Sequence, residues 1–182
     1  MAEPGGAPNS RGEIDPADLA AVSEQLGRPA RGIVEVASRC PSGHPNVVKT
    51  LPRLPDGTPF PTLYYLTCPR LSGVIGTLEA AGVMTAMSNR LEADAELAAA
   101  YLRAHTSYLA DRAELGEVPE ISGISAGGMP ARVKCLHALV GHSLAVGPGV
   151  NPFGDEALEL LGDWWSGTDC GSPDELDHRD PS

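Results

Sequence analysis

The chain has 182 residues, 42% of them hydrophobic, which is enough for one domain with a hydrophobic core and too few to favour two. No apolar run approaches the length of about 18 residues that a membrane helix needs. The amino terminus lacks the basic and apolar regions of a secretory signal. We therefore expect a cytoplasmic protein without a membrane segment.

The formal net charge of −11 is concentrated at the two ends of the chain. Residues 1–30 carry five acidic and two basic side chains, and residues 166–182 carry five acidic and one basic. Both ends are rich in Pro, Gly and Ser, and they contain too little apolar surface to offset the entropy of ordering the chain. We therefore predict disordered acidic tails at 1–14 and 166–182 around a single domain at 15–165.

The first half of this domain is predicted to contain one helix and a small sheet. Asp15 precedes Pro16, and apolar residues follow at helical spacing up to Gly27, which indicates a short helix over 15–28. Three segments have the β-branched and aromatic residues typical of strands: GIVEVASR at 32–39, NVVKTL at 46–51 and TLYYLTC at 62–68. A Pro- and Gly-rich turn separates the last two, so we expect an antiparallel sheet.

The second half is predicted to be helical. Four segments show apolar residues at helical spacing: RLSGVIGTLEAAG at 70–82, SNRLEADAELAAAYLRAHTSYLADRAEL at 88–115, RVKCLHALVGHSLA at 132–145 and NPFGDEALELLGDWW at 151–165. In the last of these, Leu158, Leu161 and Trp165 are expected to pack on the core. The fold class is therefore α+β, a mostly helical single domain with a small antiparallel sheet.

The helix predicted at 132–145 holds a cysteine and two histidines among its apolar residues. Cys135 and His142 are seven residues apart, so two helical turns would place them on one face, whereas His137 points elsewhere. Because the helix is apolar on both sides, we expect it to lie at the centre of the domain. The face of the helix that carries Cys135 and His142 could then contact the cysteines of the sheet segment.

Those other cysteines each precede a proline, which holds the backbone at a stiff corner. Cys40 is followed four residues later by His44, and Cys68 comes at the end of a strand and the start of a helix. We predict one metal site, with zinc or an iron–sulfur cluster as the cofactor. Its ligands would be Cys40, Cys68, Cys135 and His142, with His44 as the alternative fourth ligand.

Two other interpretations of these residues stay open. Free cysteines are among the most buried residues, so all three could be core residues beside a buried histidine. Alternatively, Cys68 could be a nucleophile, because a helix amino terminus lowers the pKa of a thiol, and His44 or His142 could serve as its base.

Basic residues accompany the cysteines. The segment 39–70 carries a net charge of +3, and Gly127 and Gly128 precede the predicted Cys135 helix. Unpaired backbone N–H groups at such a helix start can receive an anion. We therefore predict a phosphate or other anion site at Arg39, Gly127, Gly128, Arg132 and Lys134. Nucleic acid is disfavoured as a partner because the chain has no basic run and its tails are acidic.

Two long motifs carry a resemblance to a known family. They are CPSGHPNVVKTLPRLPDGTPFPTLYYLTCPRL and GGMPARVKCLHALVGHSLAVGPGVNPFGDEAL, and with them residues 17–165 resemble the actinobacterial domain of unknown function 501 family. The resemblance implies a small cytoplasmic protein whose gene lies near those of a septum formation initiator and an exopolyphosphatase-type phosphatase. It implies no established activity, cofactor or catalytic residue.

Together these observations favour a non-catalytic or regulatory metal-binding protein. One alternative is an enzyme that acts on a phosphate-bearing small molecule beside the basic residues. Another is an interaction module linked to cell division or the cell envelope, which rests on gene neighbourhood alone. An open ligand position facing a cleft would favour the enzyme, whereas a closed shell of four ligands would favour a structural role.

Overall fold

The computed structural model of the protein describes residues 13–166. The first helix is α1 (Pro16–Leu26), and three strands follow in an antiparallel sheet of order β1-β2-β3: β1 (Ile33–Arg39), β2 (Pro45–Thr50) and β3 (Tyr64–Leu66). Five further helices complete the fold: α2 (Pro69–Ala80), α3 (Val83–Ala93), α4 (Ala95–Ala113), α5 (Leu136–Val146) and α6 (Pro152–Leu161). The α+β class is therefore confirmed. Residues 1–12 and 167–182 of the predicted tails lie outside the described residues.

The elements predicted in the first half of the domain are present. The Asp15 carboxylate accepts a hydrogen bond from the Ala17 N–H at 2.8 Å and so begins α1, which ends at Gly27 in a left-handed conformation. Strand β3 is shorter than predicted because the chain turns at Cys68, which is the N-cap residue of α2.

The long helix predicted at 88–115 is wrong, because the chain forms two helices there. Asp94 has an extended backbone, with φ −121° and ψ 105°, and this interrupts the helical hydrogen bonds between α3 and α4. Its carboxylate accepts from the N–H groups of Glu96 and Leu97 at 3.0 and 3.1 Å. A side-chain cap of this kind stabilises a helix start, so Asp94 begins α4.

The helix predicted at 132–145 begins later than expected. Lys134 and Cys135 both donate their backbone N–H groups to the carbonyl of Gly127, at 2.7 and 3.3 Å, and this closes a loop. Cys135 has an extended backbone and is the N-cap residue, and α5 begins at Leu136. The helical spacing that placed Cys135 and His142 on one face therefore does not apply to Cys135.

Helix α5 lies at the centre of the domain, as predicted. Leu136, Leu139 and Val140 are fully buried, and the helix packs on β3 and on α6. Two glycines permit this close packing. A Cβ atom on Gly141 would lie 2.9 Å from the carbonyl oxygen of Tyr64, and one on Gly154 of α6 would lie closer than 3.0 Å to the carbonyl oxygen of Leu139.

The last predicted helix is shorter than its sequence pattern indicates. It ends at Leu161, and Gly162 follows as the C-cap residue. The chain then turns so that Trp164 is buried with 7% of its surface exposed, whereas Trp165 is 40% exposed. The expectation that Trp165 packs on the core is therefore wrong, while Leu158 and Leu161 do pack against it.

Within residues 13–166, no single helix combines the length and the apolar composition needed to cross a membrane. The pair α2 and α3 meets that test only when the two helices are taken together, and they are bent by 66° relative to each other.

Candidate functional site

Three side chains with metal-ligating atoms meet where α2 and α5 pack against each other. They are Glu79, in the last turn of α2, Cys135, the N-cap residue of α5, and His137, in the first turn of α5. Their ligand atoms lie within 4.8 Å of one another. Among the residues that the structure describes, no other three His, Cys, Asp or Glu side chains come together in this way.

Glu79 is held in place by the start of α5. The backbone N–H of Leu136 donates to Glu79 Oε1 at 2.7 Å. The first N–H groups of a helix have no partner within the helix, and its amino terminus carries a partial positive charge. The Glu79 carboxylate satisfies one of these groups and therefore points at the residues that begin α5.

The His137 ring is fixed through both of its nitrogens. Nδ1 lies 3.2 Å from Glu79 Oε1, and Nε2 lies 3.1 Å from the carbonyl oxygen of Ser72. Ser72 and Glu79 are two turns apart on α2, so one side of that helix provides both contacts. Because both partners are hydrogen-bond acceptors, the ring is oriented with little freedom to rotate.

Cys135 and His137 shift each other's pKa in opposite directions. Hydrogen bonding to His137 lowers the pKa of the Cys135 thiol, while burial partly opposes this effect. The same interaction raises the pKa of His137 to about 9, against burial and with a further contribution from Glu79. The lowered pKa favours the thiolate of Cys135 relative to an ordinary cysteine, whereas the raised pKa of His137 means that its ring must release a proton before Nδ1 can bind a metal.

The site is open to solvent on one side. The side chains of His137 and Glu79 are 29% and 22% exposed, and Cys135 is half-buried. A cleft of about 220 Å³ begins at Cys135 and His137 and runs between the first turn of α5 and strand β3. It is lined by Thr62, Tyr64, Tyr65, Leu66, Ser72, Cys135, His137 and Ala138.

The structure does not bring together the metal ligands predicted from the sequence. No three of the residues Cys40, His44, Cys68, Cys135 and His142 have ligand atoms within 4.8 Å of one another. Cys40 is buried, with its Sγ 3.9 Å from His44 Nδ1. Cys68 is fully buried and its Sγ accepts a hydrogen bond from the Leu71 N–H at 3.5 Å, so it is not exposed as a nucleophile would be.

His142 is a buried core histidine. Its ring stacks on Tyr64 at 5.7 Å and meets the edge of Tyr108 at 5.1 Å. The Asn151 side-chain amide donates to Nδ1 at 3.2 Å, so the ring proton is on Nε2, which has no partner within residues 13–166. Burial lowers the pKa of His142 to about 4. His142 faces β3 and α4, whereas Cys135 faces α2, and this separates the two predicted ligands.

We expect His142 to make the stability of the protein depend on pH. Between its usual pKa of 6.5 and its folded pKa of about 4, only the unfolded chain binds the proton. Acidification therefore favours unfolding, and the contribution is fully present above pH 6.5 and lost as the pH falls to 4. The loss is about 3 kcal/mol, since one pKa unit corresponds to about 1.4 kcal/mol. Urea unfolding at several pH values measures it.

His142→Gln is the control for this prediction, because glutamine does not titrate. Carboxylates also contribute to unfolding in acid, so the difference between the two proteins isolates the histidine. Parallel stability curves for the variant and the parent between pH 7 and pH 4 would contradict the prediction.

The residues predicted to bind an anion have other contacts. Arg39 forms a two-pronged ion pair with Asp18 of α1, at 2.8 and 2.6 Å. A Cβ atom on Gly127 would lie 2.5 Å from Leu139 Cδ2. A Cβ atom on Gly128 would lie 2.6 Å from the carbonyl oxygen of Arg132. Both glycines are therefore needed for the close packing of this loop. Arg132 and Lys134 have exposed side chains. The anion site stays a prediction, and the N–H of Leu136 at the helix start is already bonded to a carboxylate.

Sequence reasoning missed two of the three clustered residues. A helix that begins at Arg132 would point His137 away from Cys135, and Glu79 looks like an ordinary acidic residue of a helix. A signal for His137 is present, since a cysteine followed two residues later by a histidine at a helix start places both side chains at the same end. No local signal points to Glu79, because only packing of α2 on α5 brings it there.

Comparison with known proteins gives a family but no described function. Searches among curated proteins and solved structures found no match. Residues 36–159 match the model of a family described as protein of unknown function, DUF501. The matched span begins in β1, contains Glu79, Cys135 and His137, and ends in α6. The chain therefore belongs to the DUF501 family.

Proposed function

We propose that this domain binds one zinc ion through Cys135, His137 and Glu79. The observation that carries the proposal is the convergence of a thiol, an imidazole and a carboxylate within 4.8 Å. Two ligands of a tetrahedral zinc ion, each about 2.0–2.1 Å from the metal, lie roughly 3.3 Å apart. The distance of 3.2 Å between His137 Nδ1 and Glu79 Oε1 agrees with this spacing.

The contacts around the three side chains also support a metal site. A metal-binding histidine usually donates its other ring N–H to a carbonyl or carboxylate, which fixes the tautomer. The Ser72 carbonyl lies at that position, 3.1 Å from His137 Nε2, and leaves Nδ1 for the metal. The Leu136 N–H fixes the Glu79 carboxylate in the same way.

The donor set favours zinc over an iron–sulfur cluster. One thiolate, one imidazole and one carboxylate are all common ligands of zinc. Iron–sulfur clusters are held mainly by cysteine thiolates, and the three clustered residues include one. A cytoplasmic location, as predicted from the sequence, would keep Cys135 reduced and available as a ligand.

Zinc titration of the full chain, after removal of metals by a chelator, tests this function. We expect calorimetry to show one zinc ion per chain. Zinc should also slow the alkylation of Cys135 by iodoacetamide, as measured by mass spectrometry of the peptides, because the bound thiolate cannot attack the reagent. The buried Cys40 and Cys68 provide the internal comparison.

Zinc that bound without protecting Cys135 would place the metal elsewhere in the chain. Peptide mapping separates Cys135 from Cys170, which lies outside the described residues. Failure to bind zinc would contradict the proposal directly.

A further inference from the structure

The cleft beside Cys135 and His137 leads directly to the clustered ligand atoms. One wall is the first turn of α5, including Ala138, and the other is strand β3, Tyr64–Leu66. The side chains of His137 and Glu79 remain 29% and 22% exposed although they pack between two helices. A small molecule in the cleft can therefore reach Cys135 and His137, which both line it.

The number of protein ligands leaves a coordination position free. Structural zinc sites have four protein ligands, whereas catalytic zinc sites have three and keep the fourth position for water or substrate. The cluster supplies three, and within residues 13–166 no further His, Cys, Asp or Glu side chain joins it. Two of the three ligand residues, Cys135 and His137, line the cleft, so we place the free position on the side of the cleft.

Charge restricts what can bind there. The Cys135 thiolate and the Glu79 carboxylate together cancel the charge of a zinc ion. Among residues 13–166, no Lys or Arg lines the cleft, so no described cation would compensate a second negative charge on a ligand. A phosphate dianion is therefore disfavoured, and a neutral or singly charged ligand with one donor atom is favoured.

We propose that the metal has an open fourth position that faces this cleft and takes a small neutral or monoanionic ligand. This inference rests on the proposed metal site. It assigns the site to the open class that binds exchangeable ligands rather than to the closed structural class. It also disfavours a phosphate-bearing substrate as the ligand of this site.

Cobalt substitution provides the test, because the visible spectrum of Co²⁺ responds to a change of ligand. The full chain is first loaded with Co²⁺, and the spectrum is recorded during separate titrations with imidazole, azide and inorganic phosphate. In a buffer alkaline enough for phosphate to be the dianion, we expect saturable spectral changes with imidazole and azide and none with phosphate. A cobalt spectrum that neither imidazole nor azide alters would overturn the inference while leaving the metal site intact. A response to phosphate alone would also overturn it.

A steric variant makes the position of the ligand testable. Ala138→Leu adds bulk to the cleft and should weaken imidazole binding by at least about tenfold, equivalent to about 1.4 kcal/mol, without loss of cobalt. Ala99→Leu, on the exposed side of α4, is the matched control and should leave imidazole affinity unchanged. Equal imidazole affinities in the two variants would contradict an open position facing the cleft. If Co²⁺ does not bind at all, the metal site and this inference both fail.

Discussion

Cys135→Ser is expected to weaken zinc binding at least about 100-fold. Loss of a residue that only supports a ligand typically costs 10–100-fold in metal affinity, so loss of the thiolate itself should cost at least as much. Calorimetric titration of the variant and the parent measures the difference. Because the Cys135 side chain is only half-buried, we expect the variant to remain folded.

Cys68→Ser is the matched control for this experiment. Cys68 is the N-cap residue of α2, a position where serine is favourable, so the substitution preserves the helix start. Zinc affinity should stay within about twofold of the parent if Cys135, His137 and Glu79 bind the metal. A large loss in Cys68→Ser would instead support the site predicted from the sequence, in which Cys68 is a ligand.

Glu79→Gln separates the two roles of Glu79. Glutamine keeps a side-chain oxygen that can accept the Leu136 N–H, so the contact with α5 is preserved, but the anionic ligand is lost. We therefore expect zinc affinity to fall while the unfolding midpoint changes little. Unchanged affinity would show that Glu79 only caps the helix.

Gly154→Ala is expected to destabilise the domain by about 3 kcal/mol or more, a large effect for a single methyl group. The added Cβ atom would lie closer than 3.0 Å to the Leu139 carbonyl oxygen and the Ser143 hydroxyl oxygen. The first belongs to the backbone of α5, so the two central helices must separate to relieve the clash. Urea denaturation followed by circular dichroism measures the loss.

Gly73→Ala is the control, because it makes the same change in α2 where no atom apart from the adjacent helix backbone lies within 4 Å of the new Cβ atom. Alanine is more favourable than glycine inside a helix by roughly 0.5–1 kcal/mol, so this variant should be slightly more stable than the parent. If Gly154→Ala were as stable as Gly73→Ala, the close packing of α5 on α6 would be incorrect.

The sequence predicts most of the secondary structure because the relevant signals are local. Asp15, Pro16 and Gly27 determine the limits of α1, and alternating apolar residues identify β1. The main error concerns the start of α5. The loop before it is closed by hydrogen bonds to the Gly127 carbonyl, which no local pattern reveals.

The candidate site is harder to predict for a related reason. A helical wheel that includes Cys135 pairs it with His142, although Cys135 precedes the helix and faces α2. His142 is instead enclosed by Tyr64 and Tyr108, which are distant in sequence. Residue types alone therefore point to this helix, but packing between helices determines which cysteine, histidine and acidic side chains come together.

The most direct test of the metal site is a crystal structure of the zinc-loaded protein with anomalous diffraction measured at the zinc absorption edge. We expect one anomalous peak within bonding distance of Cys135 Sγ, His137 Nδ1 and a Glu79 carboxylate oxygen, with the remaining coordination position of the zinc facing the cleft. A peak bound by Cys40, Cys68 or His142, or no ordered zinc at Cys135, would contradict it.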